Sequence, residues 1–107
     1  MIKADYHLHT NFSSDSTAPM ESMIRQGIAS GLEILCFTEH HDIDYPENPD
    51  HFDFLLDLPA YKTRLSELKE TYQDQIEINY GIELGLMPST LDQCSDFVKD
   101  EAFDFII

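Results

Sequence analysis

The sequence predicts an α/β fold with parallel strands, and three observations carry that expectation. Apolar segments of strand length alternate with segments of helical periodicity along the chain. The clearest strand, Ile76 to Glu83, sets Ile76, Ile78, Tyr80 and Ile82 on one side and Glu77, Asn79, Gly81 and Glu83 on the other. Histidines and carboxylates then fall where such strands end: His7 and His9, Glu39-His40-His41-Asp42, and Glu83. Open α/β sheets and α/β barrels place their sites at the C-terminal ends of their strands.

Each element has its own justification. Ile2-Lys3-Ala4-Asp5-Tyr6 alternates like a short strand and runs through His7 and His9 into the loop Thr10-Asn11-Phe12-Ser13-Ser14. Pro19 suits a first helical position, Met20, Met23, Ile24 and Ile28 share a face, and Gly31 suits the stop, so a helix is expected from about Pro19 to Ser30. The second strand, Glu33 to Thr38, delivers Glu39-His40-His41-Asp42. Residues Ile43 to Leu58 mix Pro46, Pro49 and acidic groups with Phe52, Phe54, Leu55 and Leu56, which reads as a structured loop: a flap, or an acidic surface loop with an aromatic anchor. A second helix, Ala60 to Gln73, has Tyr61, Leu65, Leu68 and Tyr72 inward and Lys62, Arg64, Glu67, Lys69 and Glu70 outward. Beyond the third strand, Thr90-Leu91-Asp92-Gln93 reads as a capping box opening a helix with Leu91, Cys94, Phe97 and Val98 inward. Phe103 to Ile107 reads as a fourth strand with no loop after it. An apolar strand left as an open edge predicts that residues 1–107 are a single domain truncated at its C-terminal end.

Composition bounds the function classes. A 107-residue chain with 42% hydrophobic residues suits one folded domain rather than a disordered tail. The net charge of −15, from 21 acidic and 6 basic residues, argues against nucleic acid as a partner. No basic-then-apolar leader and no apolar run near the roughly 18 residues of a membrane span are seen, so no membrane partner is expected and cytoplasm is the default compartment. Cys36 and Cys94 lie in apolar patterns without C-x-x-C spacing, and are expected as buried packing residues.

The chemistry-bearing residues read as a polynuclear metal centre. Imidazoles and carboxylates are ligands for zinc, iron or manganese, and a carboxylate can bridge two ions. Period two puts His7 and His9 on one face, able to grip one ion from two points. The same rule lets at most one of His40 and His41 point into a site from a regular strand. Asp15, in Ser13-Ser14-Asp15-Ser16, reads equally as a ligand or as a turn residue. Glu83 reads as an enclosed carboxylate needing a cation or donor if its face is interior. His51 has no partner at a strand end and is left outside the site.

Asp5-Tyr6-His7-Leu8-His9-Thr10, Asp15, Pro19-Met20-Glu21, Phe37-Thr38-Glu39-His40-His41-Asp42 and Gly81-Ile82-Glu83 together resemble the first three motifs of the polymerase and histidinol phosphatase (PHP) domain family. The Phe12-Ser13-Ser14-Asp15-Ser16 loop, the Asp42-Ile43-Asp44-Tyr45-Pro46 continuation, and the Tyr61 to Tyr72 helix leading into Ile76-Glu77-Ile78 are most similar to its histidinol-phosphate phosphatases. The resemblance spans essentially the whole chain. It implies the N-terminal part of a distorted, TIM-like (β/α)7 barrel with two to three divalent ions, zinc, iron or manganese, at the strand ends. It further implies that His7 and His9 bind a first metal, Glu83 bridges it to a second, and Asp15 and His40 bind a third. The remaining ligands are expected beyond Ile107.

The activity so implied is hydrolysis of L-histidinol phosphate to L-histidinol and phosphate, in histidine biosynthesis, by the complete protein and not by this fragment alone. The ions would activate water and neutralise charge on the phosphoryl oxygens. His41 and Asp42 are expected on the substrate or proton-transfer side. The acidic stretch from Asp42 to Asp57 would complement the ammonium and imidazole of such a substrate. Two other readings are a phosphodiesterase or exonuclease of the same family acting on nucleic acid, and a non-catalytic, metal-binding remnant.

Overall fold

Alternating apolar and polar residues build a parallel sheet at the centre of the computed structural model, which describes residues 2–43, 46, 49 and 54–107. Its strands are β1 (Ala4–Leu8), β2 (Ile34–Asp42), β3 (Glu77–Gly85) and β4 (Phe105–Ile106), in the spatial order β1-β2-β3-β4. The crossovers run through α1 (Met20–Ala29), α2 (Leu58–Thr71) and α3 (Leu91–Lys99). The expected α/β alternation with parallel pairing is therefore what forms. Asp44, Tyr45, His51 and Phe52, which figured in the loop reading, lie outside the described residues. Among the described residues, no helix is long and apolar enough to cross a membrane.

One face of the sheet holds the core. Leu35 and Phe37 of β2 and Ile78, Tyr80 and Ile82 of β3 pack with Met20 and Ile24 of α1 and with Tyr61, Leu65 and Leu68 of α2. The opposite face takes the alternate residues, and the β2–β3 register aligns Thr38 with Gly81, His40 with Glu83 and Asp42 with Gly85. Both cysteines are buried and free, as their apolar settings predict.

Local signals set most boundaries. At the end of α1, Gly31 takes φ +82, with Gly31 N–H bonded to Ile28 O at 3.1 Å and Leu32 N–H to Gly27 O at 3.0 Å. This is the Schellman arrangement, whose left-handed position glycine occupies without steric cost. Helix α2 begins earlier than its periodicity suggests, because the Asp57 carboxylate accepts from Ala60 N–H at 3.2 Å and caps it. Around α3 the expected capping box does not form. Thr90 closes a 3-10 turn, Pro88–Thr90, and its hydroxyl donates to Met87 O at 3.2 Å. Leu91, expected inward, is 50% exposed, because that turn rotates the start of the helix and leaves Cys94 as its buried residue.

Strand β1 contains a feature that alternation does not show. Asp5 pairs with Leu35 and Leu8 with Phe37, so three steps on β1 match two on β2. This is a β-bulge, which shifts which side chains face which way. Asp5 and Leu8 thereby line the cleft against Met23 and Gly27 of α1, while His7 and His9 reach the opposite face. The bulged backbone keeps a partner, since His7 N–H donates to Asp5 Oδ1 at 3.0 Å.

Candidate metal centre

The strand ends bring five side chains together. His7 Nε2 and His9 Nε2 approach the same oxygen, Glu83 Oε1, at 2.5 and 2.9 Å. The other nitrogen of His9, Nδ1, lies 3.2 Å from Asp15 Oδ2, and His40 Nε2 lies 3.2 Å from that same oxygen. His40 Nδ1 faces Glu83 Oε2 at 3.5 Å and Asp42 Oδ1 at 3.8 Å. Two groups of donor atoms result, His7 with His9 and Glu83, and His9 with Asp15 and His40, each within 4.8 Å of one another. His9 belongs to both.

Proton counting tests whether cations fit here. A neutral imidazole has one N–H, so it can donate at only one of its two nitrogens. His9 meets a carboxylate at both nitrogens, and so does His40. Each ring therefore sets one lone pair against a carboxylate oxygen unless a proton or a metal ion lies between them. His40 Nδ1 and Asp42 Oδ1 are also buried without a hydrogen-bond partner. Burial alone would raise the Glu83 carboxyl, yet the hydrogen bonds from His9 and His7 and the nearby His40 hold it below its usual range. An imidazole and carboxylate donor set of this kind fits a divalent transition metal.

The remaining candidates fall elsewhere. His41, expected on the substrate or proton-transfer side, does not join the cluster. Its ring stacks on Phe97 at 4.1 Å, its Nδ1 accepts from Leu56 N–H at 3.1 Å, and burial depresses its pKa despite nearby Asp42. The reason is period two along β2, which turns His41 toward the helices when His40 faces the site. His41→Phe is expected to cost about 1–3 kcal/mol by orphaning Leu56 N–H. Unfolding midpoints should fall while metal content stays at the parent level.

Asp42 stays beside the site. Its carboxyl lies over Gly85, where a Cβ would collide with it, and the Gly85 backbone N–H bonds to it. Burial nonetheless raises its pKa. A shallow cleft of about 160 Å³ opens there, between Asp42, Ile43 and Pro46 on one side and Gly85, Leu86 and Met87 on the other. Phe54 covers this end of the sheet: it is buried, its carbonyl accepts from Asp42 N–H at 2.9 Å, and its ring lies 4.7 Å from that of His40. Glu39, fully buried, faces the loop after β1 rather than the cluster.

The model of the PHP domain family matches residues 5–107. The chain belongs to the PHP domain family. It is 37% identical over its whole length to a histidinol-phosphatase of Lactococcus lactis, covering 38% of that protein. It is 28% identical to a probable histidinol-phosphatase of Clostridium acetobutylicum, over 96% of this chain and 37% of the relative. Among solved structures, the histidinol phosphate phosphatase of Lactococcus lactis, in complex with zinc, L-histidinol and phosphate, superimposes with a TM-score of 0.90 at 36% identity, over 97% of this chain and 38% of that one. A second solved structure, a putative histidinol phosphatase from Listeria monocytogenes, shares the fold with a TM-score of 0.80 at 22% identity, over 92% of this chain and 40% of that one. The fold is thus the N-terminal part of the histidinol phosphatase PHP barrel, and the chain spans about two-fifths of the length of these relatives.

Proposed function

We propose that this chain supplies the N-terminal strands and five metal ligands of a histidinol-phosphatase, a metal-dependent phosphomonoesterase that hydrolyses L-histidinol phosphate. One observation carries the reading. His7, His9, Asp15, His40 and Glu83 converge with unmatched lone pairs at the C-terminal ends of β1 to β3, in a PHP domain similar to a phosphatase solved with zinc, L-histidinol and phosphate. The remaining ligands and the phosphate-binding groups belong to later strands of a longer polypeptide. His7, His9 and Glu83 would hold one ion and Asp15 and His40 would contribute to another; the neutral His9 ring, with one lone pair and one N–H, would ligate the first and hydrogen-bond to Asp15 of the second, with zinc, iron and manganese all suited to these donors.

Divalent ions bound there supply Lewis acidity for water and charge neutralisation for a phosphoryl group. The protein side chains fix where that chemistry occurs. Glu83 orients His7 of β1 and His9 just beyond it through one oxygen, and Asp15 aligns His9 with His40. Asp42 borders the cleft with a carboxylate that can face the ammonium or imidazole of an amino-alcohol phosphate.

The test is phosphate release by the full-length protein from L-histidinol phosphate, from simple phosphate esters and from single-stranded DNA. Hydrolysis of L-histidinol phosphate, abolished by chelation and restored by zinc or manganese, is the expected result. Preference for DNA, falling with salt, would overturn the substrate assignment. Asp42→Asn should raise KM for L-histidinol phosphate several times more than for a simple phosphate ester. Equal increases would remove Asp42 from substrate recognition.

A further inference from the structure

The loop between β1 and α1 carries Asp15 but has no regular secondary structure, so something else must fix its path. The buried carboxylate of Glu39 meets that need. Glu39 is 0% exposed, and three hydrogen bonds to it come from this loop. Thr10 N–H donates to Oε1 at 2.7 Å, Ser13 Oγ donates to the same oxygen at 2.8 Å, and the Thr10 hydroxyl donates to Oε2. Thr10 and Ser13 are themselves buried. The network continues in both directions: Ser13 Oγ accepts from His40 N–H at 2.9 Å, and Thr10 Oγ1 accepts from Phe12 N–H at 3.2 Å. Strand β1 ends at Leu8, so Ser13 takes the backbone N–H of His40 at a level where no β1 residue is paired.

We propose that Glu39 is a positioning residue that holds the Thr10–Ser13 turn, and through it Asp15 and His40, in the geometry that forms the second donor group. The reasoning is chemical. A carboxylate is an acceptor with no donor of its own to satisfy, and its hydrogen bonds are about twice as strong as neutral ones. Three donors converge on it, and both hydroxyls are already used as acceptors by Phe12 and His40. An amide at this position would replace one acceptor oxygen with an N–H₂ and leave a donor of the turn without its acceptor. Asp15 reaches His9 and His40 two residues beyond Ser13, so movement of the turn is transmitted to that group. The group of His7, His9 and Glu83 takes its carboxylate from β3 and does not depend on the turn for it.

The inference rests on reading the site as a metal centre, and the test separates the two. Metal per polypeptide and metal affinity are measured with zinc in the full-length protein for Glu39→Gln, Asp15→Asn and His7→Ala, and for the pairs combining Glu39→Gln with each of the others. Glu39→Gln should weaken one zinc site by about 10–100-fold, the effect of losing a group that orients a ligand. It should add nothing to Asp15→Asn but add fully to His7→Ala. Equal weakening of both sites, unchanged affinity, or an independent effect on top of Asp15→Asn would overturn it. If the parent protein binds no zinc, manganese or iron, the metal reading falls and this inference with it; if it binds and Glu39→Gln binds equally, only this inference falls. Should Glu39→Gln fail to fold, Ser13→Ala makes the same test, and if both fail to fold Glu39 serves the scaffold generally and the inference is overturned.

Discussion

His9→Ala in the full-length protein is expected to empty both donor groups at once. Its Nε2 meets Glu83 at 2.9 Å and its Nδ1 meets Asp15 at 3.2 Å, so it is the one imidazole shared by the two. His7→Ala should cost only the group containing Glu83, and Asp15→Asn only the group containing His40. Loss of a group that merely orients a ligand already lowers affinity or activity by about 10–100-fold. Removing the shared imidazole should therefore exceed about 100-fold in turnover, with metal per polypeptide falling further than in either single-group variant. Elemental analysis after gel filtration, paired with phosphate release, reads both. If His9→Ala retained as much metal as His7→Ala, the shared role would be wrong.

Gly81→Ala is expected to produce the largest loss of stability among single-methyl additions in this chain. A Cβ there would lie 2.6 Å from Phe37 O, 2.8 Å from Cys36 Sγ and 3.0 Å from Phe105 O. Two of those atoms are backbone carbonyls of neighbouring strands, so relief requires β2 and β4 to move apart from β3. The Tyr61 hydroxyl also lies in this seam, 2.6 Å from Gly81 O and 3.0 Å from Phe37 O, and donates between them. Overpacking of a tight interior costs about 1–3 kcal/mol, and disturbing the buried hydroxyl adds to it. The urea unfolding midpoint of the full-length protein should fall accordingly. Glu83 lies two residues along the same strand, so metal affinity should fall as well. A variant with unchanged midpoint would show that the strands relax there freely.

The parts of the fold legible in the sequence are those governed by local period. The alternation from Ile76 to Glu83 assigned both faces of β3, and the helical spacing of Tyr61, Leu65, Leu68 and Tyr72 assigned the buried stripe of α2, because those periods follow from backbone geometry alone. Alternation along β2 also implied that His40 and His41 must part company. It did not say which of them faces the site. Leu56 N–H and the Phe97 ring, from elsewhere in the chain, occupy the His41 side. The Thr90 capping box shows the opposite failure: a locally sound signal was overridden when Pro88 began a 3-10 turn ahead of the helix.

The candidate site divides in the same way. Local sequence pattern was enough for the order of strands and helices, the ligand chemistry gathered at the strand ends, and the pairing of His7 with His9 on one face. The folded chain alone brings Asp15, equally readable as a turn residue, to both His9 and His40. It also sets a bulge between Asp5 and Leu8 and turns Glu39 away from the cluster to hold a loop 29 residues earlier in the chain. The physical reason is range. Side-chain period is set by each residue's immediate neighbours, whereas the path of a loop and the register of a bulged strand are set by hydrogen bonds between residues distant in sequence.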